Sequence, residues 1–381
     1  MSDRAQDWLA LVHSLYPPGD AESWDAVGLH VGAPDDPVTR VLLALDVTGA
    51  TLDEAAEAGA DLLLAHHPLL FRPLDRLTPA TASGALALRA ARQGLAVMAV
   101  HTNLDVAVPG TTDPIVDALG LVDVQPLVPR SGRARCKLVV FTPAVETDAV
   151  LATMGAAGAG VIGEYEECSF RVAGVGTFRP SEAANPTVGE RSVRNEVDEH
   201  RLEMVLPLDR LDTVVAAMVE AHPYEEVAYD VYPLIGEEPT GKGLGRVGRL
   251  PQPLPLSDVA DRLARSLPSP QLRVAGDLAR VVERVAACGG AGDSLIPAAV
   301  SSGADVYVTG DLRHHPTLDA MALGLSLIDA GHYATEAAAL PAVLSALREA
   351  AQRRGLQAML IPSRVRTEPW ADYRPPEGGS A

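Results

Sequence analysis

The sequence predicts an α/β protein: a core of two related α/β halves, interrupted by an inserted ferredoxin-like α+β domain. Three observations carry this. Short apolar runs alternate with Ala-rich helical stretches over the first third of the chain and again over the last third, the pattern of strands covered by helices on both faces. Between them the rhythm changes to strand, helix, strands, helix, strand, the split βαβ plan. The segments EAGADLLLAHHPLL (57–70) and SSGADVYVTGDLRHHPTL (301–318) also echo each other, as a duplicated unit would.

In order, TRVLLALDVT (39–48) reads as a buried strand, TLDEAAEAGA as a helix, DLLLAHHP as a strand and TASGALALRAARQG as a helix. LAVMAVHTNLD gives a further strand and DPIVDALGL a further helix, completing a first half over 1–124. Periodicity stops at 122–135, where Pro, Gly, Ser and Arg mark a linker. The insert, 125–247, starts with the strand CKLVVFTP and the helix AVETDAVLATMGAAG. GEYEECSFRVAGVGTFRP follows as two strands and a turn, then a polar stretch (181–198). HRLEMVLPL, DRLDTVVAAMVEAH and VAYDVYPL add strand, helix and strand, and GKGLGRVGRLPQPLPL (241–256) reads as the second linker. The second half, 248–381, alternates again from LSDVADRLARSL to ATEAAALPAVLSALREAAQRRG, before the extended, exposed tail EPWADYRPPEGGSA.

Composition excludes several classes. With 31 Lys+Arg against 50 Asp+Glu the formal charge is −19, which repels polyanions and argues against general nucleic-acid or anionic-membrane binding. No run approaches the ~18 apolar residues of a membrane span, and the start, MSDRAQDWLALVHSLYP, is not a signal peptide. Three separated cysteines, Cys136, Cys168 and Cys288, make neither a disulfide framework nor a thiolate zinc site, and fit a reducing cytoplasm.

Chemistry gathers at the strand ends. His66 and His67 end DLLLA, and His101 ends LAVMA with Asp105 four residues on. His332 ends LSLIDAG with Glu336 four residues on, while Asp46 and Asp311 end two further strands. Functional groups in open parallel sheets cluster outside the carboxyl ends of strands. Helix capping explains Asp46 and Asp311 as well, but not His66 and His67, since His is a poor cap. Adjacent His on extended backbone point in different directions, so the pair suits two metal ions better than one. A ligand set of His66, His67, Asp105, His332 and Glu336, without sulfur, suits Zn, Fe, Mn or Co; ordinary structural histidines are the alternative. The second pair, His314 and His315 beside Arg313, reads as a pocket wall, a phosphate contact or further ligands.

Other features carry less. GKGLGRVG lacks the phosphate-loop pattern and reads as turns within a linker. CGGAGDS (288–294) is an anion-binding or a structural turn, and Cys288 a buried thiol. AHPYEEVAYD (221–230) reads as a helix-to-strand turn with solvated acids.

SWDAVGLHVG, LALDVT, LLLAHHPLLF, HTNLDVAVPGTTDPIVDALGL, CGGAGDSLIPAAVSSGADVYVTGDLRHH and DAGHYATE together resemble the Nif-three-like dinuclear metal-centre family, also called GTP cyclohydrolase 1 type 2 homologues. The insert is similar to that of its longer bacterial members through GEYEECSFRVAGVGTFRP, AANPTVG and AHPYEEVAYDVYPL. The resemblance implies two divalent ions on His66, His67, Asp105, His332 and a bridging Glu336, with His101 beside them. It implies a CutA-like or PII-like insert and a homohexamer with its centres facing an internal cavity. The implied activity is hydrolytic opening of the guanine imidazole ring of GTP with loss of formate. His101 and Asp105 would relay protons, and Asp311, Arg313 and His315 would line a substrate pocket. A hydrolase acting on another small phosphorylated or cyclic metabolite, or a non-catalytic metal-binding or regulatory protein, stays open beside it.

Overall fold

The computed structural model describes residues 3–130, 134–234, 241–268 and 272–371; the end of the expected tail and part of the first expected linker lie outside them. The chain divides into two compact units, Met1–Arg130 with Gly241–Ala381, and Ser131–Thr240.

The first unit holds two large sheets, besides the two-stranded pair Asp3–Arg4 with Pro37–Val38. In one, Met359–Pro362, Arg40–Ala44, Leu62–Ala65 and Ala96–Ala99 run parallel in that order, and Gly28–Val31 closes the edge antiparallel. Alternation along the strands explains why it is covered on both faces. Val41, Leu43, Leu62, Leu64 and Met98 pack with Trp8, Leu11 and Leu347 of the helices Ala5–Leu15 and Leu340–Arg354. Their neighbours Leu42, Ala44, Leu63 and Val97 pack with Leu52, Ala87 and Ala90 of Gly49–Ala58 and Ala82–Gln93. The second sheet repeats the scheme with parallel strands Ser326–Asp329, Val306–Gly310 and Val281–Ala291 at its centre. Val306, Val308 and Ile328 face Leu256, Val259 and Leu263, while Tyr307 and Leu327 face Ile296, Ala299 and Ala320.

Both expected linkers are strands. Val122–Pro129 and Gly243–Pro255 pair antiparallel and extend the second sheet. Their prolines are tolerated because Val122–Pro129 is an edge, and because Pro251 and Pro253 fall where the register of Gly243–Pro255 against Val281–Ala291 shifts, between Arg249 and Leu254. Neither sheet is therefore purely parallel: one antiparallel strand edges the first, and antiparallel strands flank the parallel centre of the second.

The second unit is a four-stranded antiparallel sheet with two helices, Thr147–Ala156 and Leu211–Ala221. Its strands lie in the order Tyr229–Pro233, Arg135–Pro143, Asn195–Pro207, Ser169–Phe178, the β-α-β-β-α-β arrangement of ferredoxin-like domains. Residues 163–180, expected as two strands, supply one, and its antiparallel neighbour starts at Asn195, inside the expected polar stretch. Leu138, Val140, Leu202, Met204, Met154 and Met218 form its core. Among the described residues no helix is long and apolar enough to cross a membrane.

Candidate metal centre

The parallel ladders of the first unit end in polar residues that meet. His66 and His67 leave the end of Leu62–Ala65 still paired to the neighbouring strand, through His66 N–H to Ala44 O and His67 N–H to Leu45 O. His101 precedes the short helix Thr102–Asp105, whose last residue is Asp105. From the second sheet, His332–Ala337 starts after Ser326–Asp329 and carries His332 and the buried Glu336 one turn apart.

Glu336 lies between two groups of donors. Its Oε1 is 3.6 Å from His66 Nε2, which is itself 3.6 Å from Asp105 Oδ1. Its Oε2 is 3.0 Å from His67 Nε2 and 3.1 Å from His332 Nε2, and those two nitrogens are 3.3 Å apart. Thus His66, Asp105 and Glu336 form one triplet of ligand atoms, His67, His332 and Glu336 a second, and His66, His67 and His101 a third. Ligands at ~2.1 Å from one ion are ~3.0–3.4 Å apart at tetrahedral or octahedral angles, close to the separations seen. His66 Nε2 is buried without a hydrogen-bond partner among the described residues, a costly state for a polar atom unless a cation completes it. The set has the donor chemistry and spacing to hold metal.

Each imidazole is aimed by its other nitrogen, as metal-binding histidines usually are. Nδ1 of His66 bonds Val100 O at 2.9 Å. Nδ1 of His67 is 2.7 Å from Asp46, that of His332 2.8 Å from Asp311, and that of His101 2.8 Å from Asp25. A carboxylate only accepts, so the proton sits on Nδ1 and Nε2 points inward. Thr111 donates to Asp105 at 2.7 Å. Asp46 is therefore an orienting group and not a helix cap: Thr48 caps Gly49–Ala58, with its hydroxyl accepting from Thr51 N–H. Asp311 reaches His332 from a left-handed backbone, φ 54°, which Asp tolerates better than most residues.

Without metal the cluster binds protons in its place. Burial disfavours the charged form of His67, but Asp46 and Glu336 outweigh it and lift its pKa to about 10. His332 is raised to about 9, again against burial, by Glu336 and Asp311. Burial opposes the charge of Glu336 too, yet His66, His332 and His67 hold it well below the usual carboxylate range. Asp105 is raised, chiefly by burial. Asp25 is lowered to about 2, since its bonds with His101 and Thr102 overcome burial.

A cavity of 760 Å³ opens beside His67 and His332. Asp311 lines it; Arg313 and His315 do not, and its arginine is Arg273, held by Asp329. Arg313 pairs with Asp293 at the surface, and His314 and His315 start the helix His314–Ala322 with exposed rings 5.1 Å apart. The strand-end reasoning missed Asp25, which lies in the loop SWDAVG at no strand end, and Thr111. On the side of His101 stand two exposed aromatics. Trp24 is 58% and Phe71 46% exposed, and their rings lie edge-on to each other and to His101 with centroids 5.7–6.3 Å apart. Cys288 is buried as expected, its thiol pushed up to about 12 by burial and by Asp105 and Glu336.

Comparison with known proteins agrees with this architecture. The family model Duf34/NIF3 (NGG1p interacting factor 3) matches residues 4–369. A protein of Halalkalibacterium halodurans named GTP cyclohydrolase 1 type 2 homolog is 42% identical over 327 residues, 86% of this chain and 88% of that protein. One of the same name from Mycobacterium tuberculosis is 44% identical over 340 residues, 88% and 89% of the two chains. Among solved structures, a Bacillus cereus protein related to NIF3 superposes with a TM-score of 0.84 at 38% identity, covering 98% of this chain and all of that one. Staphylococcus aureus SA1388 gives 0.83 at 27% identity, covering 98% and 99%.

Proposed function

The chain belongs to the Duf34/NIF3 family, and from that premise we propose that it is a metal-dependent hydrolase of the GTP cyclohydrolase type. Two divalent ions are held by His66, His67, Asp105, His332 and Glu336. The observation that carries the reading is Glu336, whose two oxygens each address a separate set of His and Asp donors. Divalent ions held there supply Lewis acidity and make water nucleophilic at neutral pH.

The protein's own groups complete the chemistry. Asp25 fixes the Nδ1 proton of His101, leaving Nε2 free to take a proton from water adding to C8 of the guanine ring. The same nitrogen can return that proton to the ring nitrogen released when the first C8–N bond breaks, and a second water adding to the resulting formamide in the same way breaks the other C8–N bond and leaves formate. Asp105, held by Thr111, is the second proton carrier. Trp24 and Phe71, exposed beside His101, offer apolar faces on which a planar ring can rest.

Incubating the metal-loaded protein with GTP should release formate, and the His67→Ala variant should not; no turnover on GTP or a panel of related cyclic metabolites, with metal shown to be bound, would sink the hydrolase reading. Trp24→Leu is expected to raise KM about tenfold, the size of one base–aromatic contact, with metal content unchanged. An unaltered KM removes Trp24 from the ring-binding role. One observation favours the alternative of a non-catalytic metal-binding or regulatory protein: among the described residues the cavity holds one arginine, Arg273, already committed to Asp329, which is meagre for a triphosphate. The family also leads us to propose a cytoplasmic homohexamer with a CutA- or PII-like insert, for which the ferredoxin-like topology of Ser131–Thr240 is the support.

Metal uptake should release protons. With pKa values of about 10 and 9, the rings of His67 and His332 carry both protons at pH 7 in the metal-free protein, and ligation through Nε2 displaces one from each. Affinity therefore rises with pH until about pH 9–10 and then levels off. In the metal-free protein these raised pKa values stabilise the fold below the free-imidazole value of 6.5, and that contribution disappears as pH climbs through about 9–10. Calorimetric titration with Zn or Mn in two buffers of different ionisation enthalpy measures the protons; none released would mean that the histidines do not ligate.

A further inference from the structure

The metal centre leaves unused a group of residues that the sequence scatters over the inserted unit: GVGTFRP, AANPTVG and AHPYEEVAYD. In the structure they converge on one cavity of 480 Å³, a size typical of small-molecule sites. Phe141, Phe178 and Tyr224 supply aromatic surface, and Pro180 and Pro186 rigid apolar surface. Three carboxylates, Glu199, Glu225 and Glu226, face them, against one guanidinium among the described residues, that of Arg179.

The wall is fastened rather than collapsed. Tyr224 O–H donates to Glu199 Oε1 at 2.8 Å, and no other donor reaches the Glu199 carboxylate among the described residues. The buried ring of His222 accepts from Tyr224 N–H at 3.1 Å and bonds Phe141 O at 3.0 Å, tying two of the aromatic positions together. The loop carrying Pro186 is fixed to the turn before Glu226, through Asn185 N–H to Glu225 at 2.8 Å and Thr187 Oγ1 to Pro223 O at 2.7 Å. Gly176 makes room for the carboxylate: a Cβ there would stand 2.0 Å from Glu199 Oε2. A small domain gains stability by filling such space with side chains; here hydrogen bonds hold it open.

We propose that this cavity binds a small organic cation with a flat apolar body, its ring against Phe141, Phe178 and Tyr224 and its ammonium group on Glu199. Aromatic walls and carboxylates of one sign select that combination. The site stands apart from the metal reading, since no residue is shared.

Tryptamine and indole-3-acetate, which carry similar ring systems and opposite charges, are the probes, titrated calorimetrically into the full chain. Tryptamine should bind saturably at one site per chain, indole-3-acetate at least about tenfold more weakly, and Glu199→Gln should cost tryptamine about tenfold, as for one charge-assisted hydrogen bond. Tyr224→Phe, which keeps the ring and releases the carboxylate, should weaken tryptamine by a smaller factor and serves if Glu199→Gln fails to fold. Equal binding of the two probes, no saturable binding of tryptamine below about 1 mM, or an affinity unchanged in both variants would overturn the proposal.

Discussion

Glu336→Gln should empty both halves of the metal centre at once. The substitution keeps shape and volume and replaces one bridging anion by a neutral amide. Because Oε1 faces His66 and Asp105 while Oε2 faces His67 and His332, each proposed ion would lose its shared ligand, and the centre one of its two carboxylates, the other being Asp105. Disturbing an outer partner alone typically costs 10–100-fold in affinity, so losing the bridge should cost at least about 100-fold, read as metal per chain after dialysis. Formate release should vanish with it. The metal-free variant also leaves the protonated rings of His67 and His332, 3.3 Å apart, without the anion between them; breaking a buried ion pair costs about 3 kcal/mol or more, so it should unfold at lower denaturant at pH 7. The sign follows from the lowered Glu336 carboxyl: its contribution is complete above the ordinary value near 4.5 and fades as pH falls below it. The penalty of the variant should therefore shrink in acid. A variant that retained both ions would show that the two triplets do not share Glu336.

That His66, His67, Asp105, His332 and Glu336 gather in one cluster was legible because they obey a rule of sheet geometry. Buried apolar strands leave few positions where a polar residue is tolerated, so a His, Asp or Glu where the apolar run stops stands out, and parallel strands bring such ends to one rim. The doubly covered parallel centres were legible for the same reason, since Val41 to Ala44 alternate between two helical layers without a polar residue. Asp25 was not, because its partner His101 is distant in sequence and nothing local marks a loop aspartate as the holder of an imidazole. Nor were the strands Val122–Pro129 and Gly243–Pro255: Pro and Gly signal a break locally, whereas the sheet accommodates them at an edge and at a register shift. In the inserted unit the acids of AHPYEEVAYD are exposed, as expected; what the sequence does not mark is that Tyr224 meets Glu199, a residue outside that stretch.

Gly290→Ala should disable the centre without touching a ligand. Gly290 lies in Val281–Ala291 at φ +65°, its N–H bonded to Thr335 Oγ1 at 2.9 Å, so the backbone is pinned against the helix that carries Glu336. A Cβ there would stand 2.0 Å from Glu336 Oε1 and 3.4 Å from His332 Nε2. No rotamer of alanine relieves this, so the Glu336 carboxylate must leave its place or the strand must move. Oε1 belongs to the triplet with His66 and Asp105, and an ion on that side should be lost first, giving a protein with one metal per chain where the proposed centre holds two. Left-handed backbone by itself costs an alanine about 1 kcal/mol, and Gly303→Ala isolates that cost: φ there is +73° and the added methyl meets nothing within 4 Å. Both variants should lose about 1 kcal/mol of stability from the backbone, but Gly303→Ala should keep its metals and Gly290→Ala should not. Equal metal content in the two would mean that the carboxylate can shift without cost, and that the close fit of strand to ligand is not what holds the bridge in place.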